Sequence, residues 1–163
     1  MYTMLDAIGF LLEQPFRNVP RQLERLSEEQ LNQPLDLPET NTLYQLETHM
    51  AGATEFWLLS LVGGQLSRRD REAEFRSTGT LADLQQRYAV VLADVQRLLA
   101  GRTEEDLNRP LTPPPEVVAD PLFQQYHSQA PLTVGYALLH MMRHNALHVG
   151  HLQLTLQLLG AAA

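Results

Sequence analysis

Apolar residues recur at the three-and-four spacing of an amphipathic helix in four long segments, and the intervals between them are polar or rich in proline. The first segment runs from about Leu5 to Leu26, with Leu5, Ile8, Leu12 and Phe16 in register, followed by Val19, Leu23 and Leu26. Pro15 and Pro20 are predicted to kink or interrupt it. A turn with Pro34 and Pro38 follows. The second segment runs from about Thr42 to Val62, capped by Thr40 or Thr42, with Leu43, Leu46, Met50, Ala53, Trp57 and Leu61 on one side. Gly63-Gly64 stops it. Residues 65–79 are a polar connection with room for a short helical or extended piece. Thr80 and Asp83 form a capping-box pattern for the third segment, which carries Leu81, Leu84, Tyr88, Val91, Leu92, Val95 and Leu98 and stops at Gly101. Arg109 to Pro131 is proline-rich and is predicted to be a long loop, of a length that often serves function. The fourth segment runs from about Leu132 to Leu159, with Gly160 as its stop. The pattern predicts an all-α protein.

The chain also repeats itself. Ser27-Glu28-Glu29-Gln30-Leu31-Asn32-Gln33-Pro34-Leu35 matches Thr103-Glu104-Glu105-Asp106-Leu107-Asn108-Arg109-Pro110-Leu111. Each copy joins one long helical segment to the next and starts like a short capped turn. Extending the match aligns Thr42…His49-Met50 with Thr133…His140-Met141, so two helical hairpins related by a pseudo-twofold are expected. The simplest reading of the repeated segment itself is a recurring connector.

Composition narrows the chemistry. A length of 163 residues, 44% apolar and 19% charged, suits one domain spanning 1–163 with one core. Charged, amide or His residues interrupt every apolar run before it could span a bilayer. The start, Met1-Tyr2-Thr3-Met4-Leu5-Asp6, lacks the basic opening of a secretion signal, so a cytoplasmic protein without a membrane partner is expected. There is no cysteine, which excludes thiolate ligands and cysteine nucleophiles. The net charge is -7, and no basic cluster exceeds Arg68-Arg69-Asp70-Arg71, so nucleic acid is not an expected partner.

Candidate chemistry concentrates in the histidines: His49, His127, His140, His144, His148 and His151. At about 100° per residue, His144, His148 and His151 lie within about 80° of His140 around the fourth helix, one stripe that is expected to face the interior. Imidazoles at i and i+4 suit a shared metal ion, and His140/His144, His144/His148 and His148/His151 all have workable spacing. A third ligand must come from elsewhere, and His49 is the best placed. Three imidazoles with open positions form the layout of a catalytic rather than a structural site. Zinc, nickel, copper and iron all accept imidazole.

The sequence resembles the DinB-like (DinB/YfiT) superfamily of metal-binding helical proteins. The resemblance rests on Leu46-Glu47-Thr48-His49 and on His144-Asn145-Ala146-Leu147-His148-Val149-Gly150-His151-Leu152, and covers almost the whole chain. It implies a four-helix bundle, up-down-down-up, with a long loop before the last helix, often as a homodimer. It implies metal ligands at His49, His144 and His148, holding a divalent ion such as zinc, nickel or iron. Gly150 is expected to allow close helix approach. His151 stands where the family often has Gln, and Asn145 where it commonly has an acidic residue. Family members include S-transferases that use low-molecular-weight thiols such as bacillithiol, mycothiol or glutathione, and metal-dependent hydrolases and isomerases. A small-molecule substrate, with thiol transfer ahead of hydrolysis, is the implied function; the alternatives are a metal- or ligand-binding module without turnover and a helical dimer whose histidines are structural.

The remaining candidates are peripheral. His140 and His151 could orient the ligands or line a pocket. Tyr126 and His127, in the loop before the last helix, could reach over a metal. Arg143 could hold an anion, although a surface salt bridge is its default role, and Trp57 could line the pocket, although core packing is its default. Glu47 and Glu55 are expected on a solvated face. No glycine-rich phosphate loop, serine elbow or zinc-protease His-Glu motif is present.

Overall fold

The computed structural model describes residues 2–67 and 69–161. Met1 of the N-terminal reading and Arg68 of the arginine cluster lie outside them. Among the described residues the chain is helical throughout, with no strand beyond an isolated bridge between Pro110 and Thr133. The helices are α1 (Met4–Leu23), α2 (Glu28–Asn32) and α3 (Leu43–Thr54), which continues as a π-helical run, Glu55–Val62. Then come α4 (Arg71–Glu74), α5 (Leu81–Ala100), a 3-10 turn (Glu104–Asn108), α6 (Pro115–Ala119), α7 (Pro121–His127) and α8 (Val134–Leu158). The four longest pack in pairs: α1 against α5 and α8, and α3 against the same two.

Side-chain caps start most of these helices. Thr3, Ser27, Thr42 and Thr80 each accept from the backbone N–H three residues on, and the residue at that position reaches back to the cap. Both copies of the repeated segment become short capped turns, as their sequence predicts.

The structure corrects several expectations. Pro15 and Pro20 do not interrupt α1, which runs through both. Its buried stripe, Leu5, Ile8, Leu12, Phe16, Val19 and Leu23, holds the helix on the core and outweighs the backbone hydrogen bonds that two prolines remove. The predicted loop from Arg109 to Pro131 contains α6 and α7. Pro115 and Pro121 sit at the first turn of each, where a missing N–H costs nothing, and Asp120 caps α7. The π-helical end of α3 was not predicted. Arg102 and Arg109 both donate to the Val62 carbonyl, each at 3.2 Å, and so satisfy its C-terminus. Gly150 is exposed, and a Cβ built there meets nothing within 4 Å, so it permits no close helix approach inside this chain.

Nor is Glu47 on a solvated face. It is buried against Tyr88 of α5, whose hydroxyl contacts one carboxyl oxygen and also lies 3.2 Å from the Glu47 carbonyl. The other carboxyl oxygen has no partner. Burial pushes the Glu47 pKa up to about 7, with the Tyr88 hydrogen bond opposing. The neutral acid fits this surrounding best: it can donate to the phenol oxygen while Tyr88 donates to the carbonyl. Glu55 is half-exposed and paired with Arg87, at 2.8 and 3.2 Å.

A folded pKa of about 7 against an ordinary 4.5 means that the folded chain holds the Glu47 proton through that window. The stabilisation is complete below pH 4.5 and is lost as pH rises toward 7, a loss of about 3 kcal/mol at about 1.4 kcal/mol per pH unit. His127, His140, His144 and His148, all shifted below 6.5, act in the opposite sense and only below that pH. The histidines act alike in wild type and variant, so metal-free wild type is expected to decline by about 3 kcal/mol relative to Glu47→Gln between pH 4.5 and 7 in thermal unfolding. An equal decline in the variant would place its source in another group.

Candidate metal centre

His49 and the two α8 histidines meet because α3 packs on α8. His49 lies in the second turn of α3, buried between Leu46 and Met50 in a helix whose residues are mostly enclosed. His144 and His148 lie on successive turns of α8. The ring centroids are 5.3 Å apart for His49 and His144, 5.0 Å for His49 and His148, and 4.4 Å for His144 and His148. One ring nitrogen from each can be chosen so that all three atoms lie within 4.8 Å of one another.

The helix crossing is held by polar atoms as well as by packing. Asn145 is buried, and its amide donates to the Thr54 hydroxyl at 3.3 Å. The Asn145 carbonyl oxygen is 3.4 Å from His144 Nδ1. Asn145 thus serves the crossing and supplies no charge.

The connection between α3 and α5 completes the surroundings. Glu74 Oε2 lies 2.8 Å from His49 Nδ1, and Arg69 grips the same carboxylate through Nε at 2.6 Å and Nη2 at 2.8 Å. Arg69 Nη2 is also 3.2 Å from His49 Nδ1. Arg69 carries only donors, so when Nδ1–H donates to Glu74 that approach is not a hydrogen bond. Nε2 is then the His49 atom with a free lone pair. Burial pushes the Glu74 carboxyl up, but Arg69 and His49 outweigh it and hold it below the ordinary range. Phe75 packs on the His49 ring with centroids 4.7 Å apart. Arg69 and Glu74 also line a cavity of about 690 Å³, together with Thr48, Glu55, Ser60 and Arg87. Sequence reading missed Arg69, Glu74 and Phe75. The segment looked like a polar connector, and only the Asp70 cap of α4 hinted at local order.

Electrostatics keeps the α8 imidazoles neutral. Burial and the neighbouring His49 lower the His144 pKa to about 4, with Asn145 opposing. Burial, His144 and His49 lower that of His148 to about 3. Neutral imidazole is the form that binds metal. His148 Nδ1 is buried without any partner, a polar atom that a bound ion or its companions would satisfy. Three converging imidazoles, one with an orphaned ring nitrogen, fit a borderline divalent ion.

The other predicted residues lie elsewhere. The histidine stripe lies at the edge of the interior, not within it. The buried face of α8 runs through Val134, Ala137, Leu138, Met141, Asn145, Leu152 and Leu156, while His140, His144 and His148 are half-buried beside it and His151 is exposed. His127 does not join the three-histidine group; it packs on His140 at 4.7 Å and Trp57 at 4.8 Å and bonds through Nδ1 to the Tyr136 hydroxyl at 2.7 Å. Trp57 is buried against His140, centroids 4.5 Å apart, and Phe123. Tyr126 and Arg143 are exposed. Burial lowers the His127 pKa, with Arg143 adding to the effect; burial, His127 and Arg143 lower that of His140 to about 4.

The two clusters are related by the sequence repeat. Thr42 and Thr133 cap α3 and α8, and Thr54 and Asn145, at matching positions after the caps, bond to each other. Across that point, His49 meets His148, and at the matching positions His140 meets Trp57.

The fold and site therefore define an all-helical protein with a three-histidine group fit for a divalent metal. Residues 11–152 match the DinB superfamily, and the chain belongs to it. No curated protein and no solved structure matches the chain.

With the pKa of His144 at about 4 and of His148 at about 3, neither ring is expected to titrate above pH 5 in metal-free protein, as followed by the imidazole C–H resonances. A midpoint near the ordinary 6.5 for either would contradict the enclosure described.

Proposed function

We propose that the protein is a divalent-metal-dependent enzyme acting on small molecules, with thiol transfer ahead of hydrolysis. His49, His144 and His148 hold the ion, and zinc, nickel or iron is the expected metal. The observation that carries this reading is the convergence of three ring nitrogens, from two helices, within 4.8 Å. Family membership supports it, as does the unpartnered His148 Nδ1. In the same reading the four long helices form the up-down-down-up bundle.

A bound divalent ion would supply Lewis acidity, lowering the pKa of a thiol or water that reaches it. The protein's own groups do the rest. Glu47 is committed to Tyr88, and Glu74 to His49 and Arg69, so neither is free to take a proton from substrate. His151 and His140 flank the three ligands, with ring centroids 5.4 Å from His148 and 6.0 Å from His144. Of the two, exposed His151 is the one to carry a proton to solvent, because burial lowers the His140 pKa to about 4 and leaves it a weak base. The cavity of about 690 Å³ beside Arg69 and Glu74 has the size of a small-molecule site, but none of the three histidines lines it.

A metal- or ligand-binding module without turnover is the second reading. Asn145 favours it, because the position where relatives commonly carry an acid is neutral here and tied to Thr54. A homodimer is proposed with either reading. α8 exposes Leu139, Leu147, Leu154 and Leu158 on one side, apolar surface of the kind that partners cover.

Elemental analysis of tag-free protein purified without chelator tests the metal. Near-stoichiometric zinc, nickel or iron is expected. His49→Ala, His144→Ala and His148→Ala are each expected to abolish tight binding, and His140→Ala to weaken it only modestly. Wild-type protein that neither carries nor takes up any of these ions would end the enzyme proposal. Loss of metal in His140→Ala alone would mean that a different set of histidines binds. With metal established, consumption of free thiol and formation of the matching thioether, in a panel of low-molecular-weight thiols and electrophiles, separates a transferase from a binding module.

A further inference from the structure

We propose that Glu74, Arg69 and Gly52 form a built support that fixes His49 as an Nε2 metal donor; this rests on the metal reading above. Glu74 is the positioning residue. By accepting Nδ1–H at 2.8 Å it selects the tautomer whose Nε2 lone pair is free. Arg69 holds both carboxylate oxygens and balances their charge in a buried place.

Gly52 supplies the space. It is one turn beyond His49 on the same side of α3. A Cβ there would stand 2.0 Å from Glu74 Oε1 and 2.9 Å from Glu74 Cδ, so the carboxylate would have to leave its place. Gly52 lies inside a regular helix, where alanine is ordinarily preferred. The carboxylate's seat, not the backbone, accounts for the glycine.

The arrangement is more than an ion pair beside a ring, because removing Glu74 leaves Arg69 in reach of His49 Nδ1. Arg69 Nη2 already stands 3.2 Å away. With the carboxylate gone, that N–H can donate to Nδ1 only if the ring proton moves to Nε2, and the ring then has no lone pair for the metal. Glu74→Ala is therefore more harmful than a missing neighbour, and removing Arg69 as well relieves part of the harm. A support that acts only through packing predicts the reverse, with the double variant the worse.

The test uses two readouts on the full chain: imidazole nitrogen shifts of His49 in metal-free protein, and Zn(II) affinity by chelator competition. Wild type is expected as the Nδ1–H tautomer. Glu74→Ala is expected as Nε2–H, with affinity lowered about 10–100-fold, the range for loss of a ligand's orienting carboxylate. Arg69→Ala/Glu74→Ala is expected to recover part of that affinity. Gly52→Ala, which displaces the carboxylate, is expected to behave like Glu74→Ala and to add nothing in its background. Glu74→Gln, which keeps the shape and an acceptor oxygen, is expected to fold like wild type, retain Nδ1–H and lose less, and it carries the test should Glu74→Ala unfold. An unchanged tautomer with unchanged affinity in Glu74→Ala, or a double variant weaker than Glu74→Ala, overturns the proposal. So does a wild-type His49 in the Nε2–H form. Failure of wild type to bind Zn(II) strikes instead at the metal reading, because the tautomer is read without metal.

Discussion

The packing of α3 against α8 is the constraint on which the site depends, because α8 alone offers two workable imidazoles on one ion and α3 offers one. Two helices crossing at a fixed point convert spacing along each chain segment into distance between them. The crossing is fixed by a buried hydrogen bond, Asn145 to Thr54, whose hydroxyl in turn donates to the Met50 carbonyl at 2.9 Å. Such a bond adds little net stability, but a register slip would leave a buried amide unpaired, which is costly. The bond therefore specifies the register that brings His49 between His144 and His148.

That crossing also explains why two unlike clusters sit either side of it. The repeat places His49 and His140 at matching positions of α3 and α8, and likewise Trp57 and His148. One pairing gives imidazole on imidazole, the other imidazole on indole. Where the indole lies, Phe123, His127 and Tyr136 gather around it and the cluster becomes packing with one internal hydrogen bond. Where both members are imidazoles, and His144 adds a third, lone pairs converge. Two differences divide the two ends, Trp57 against His148 and Ala53 against His144.

Helix identity was legible because Leu, Ile, Val and Phe spacing and the Thr caps carry it locally, and the α8 histidine stripe was legible because i and i+4 is a local relation, although that relation left three pairs open and only the family resemblance singled out His144 and His148. His49 was the candidate partner because it is the histidine on another long helix, and the family resemblance implied the same residue. What could not be read was non-local. Glu47 looks like a surface carboxylate by sequence, and only Tyr88, on another helix, makes it a buried acid. Glu74 and Arg69 lie in a connector whose path to His49 no periodicity encodes. The histidine stripe was set too deep because angle around a helix gives the face but not how far the neighbours reach. The continuous α1 shows the same limit, since its prolines forecast a break that burial of Leu12, Phe16 and Val19 overrides.

The charges left at the site bear on what a metal there would do. Of the two carboxylates near His49 in the fold or the sequence, Glu47 is held close to neutral by burial, and Glu74 is ionised but matched by Arg69. His144 and His148 are neutral, and Asn145 contributes only a dipole. A divalent cation among these groups would keep most of its positive charge, unlike one bound through carboxylates. Such an ion favours an anionic partner from solution and lowers the pKa of whatever it binds more strongly. A thiol and water would both respond, the thiol first, because its proton is the easier to lose. The neutral surroundings of the three histidines thus suit thiol and water chemistry at a bound ion alike, through charge balance.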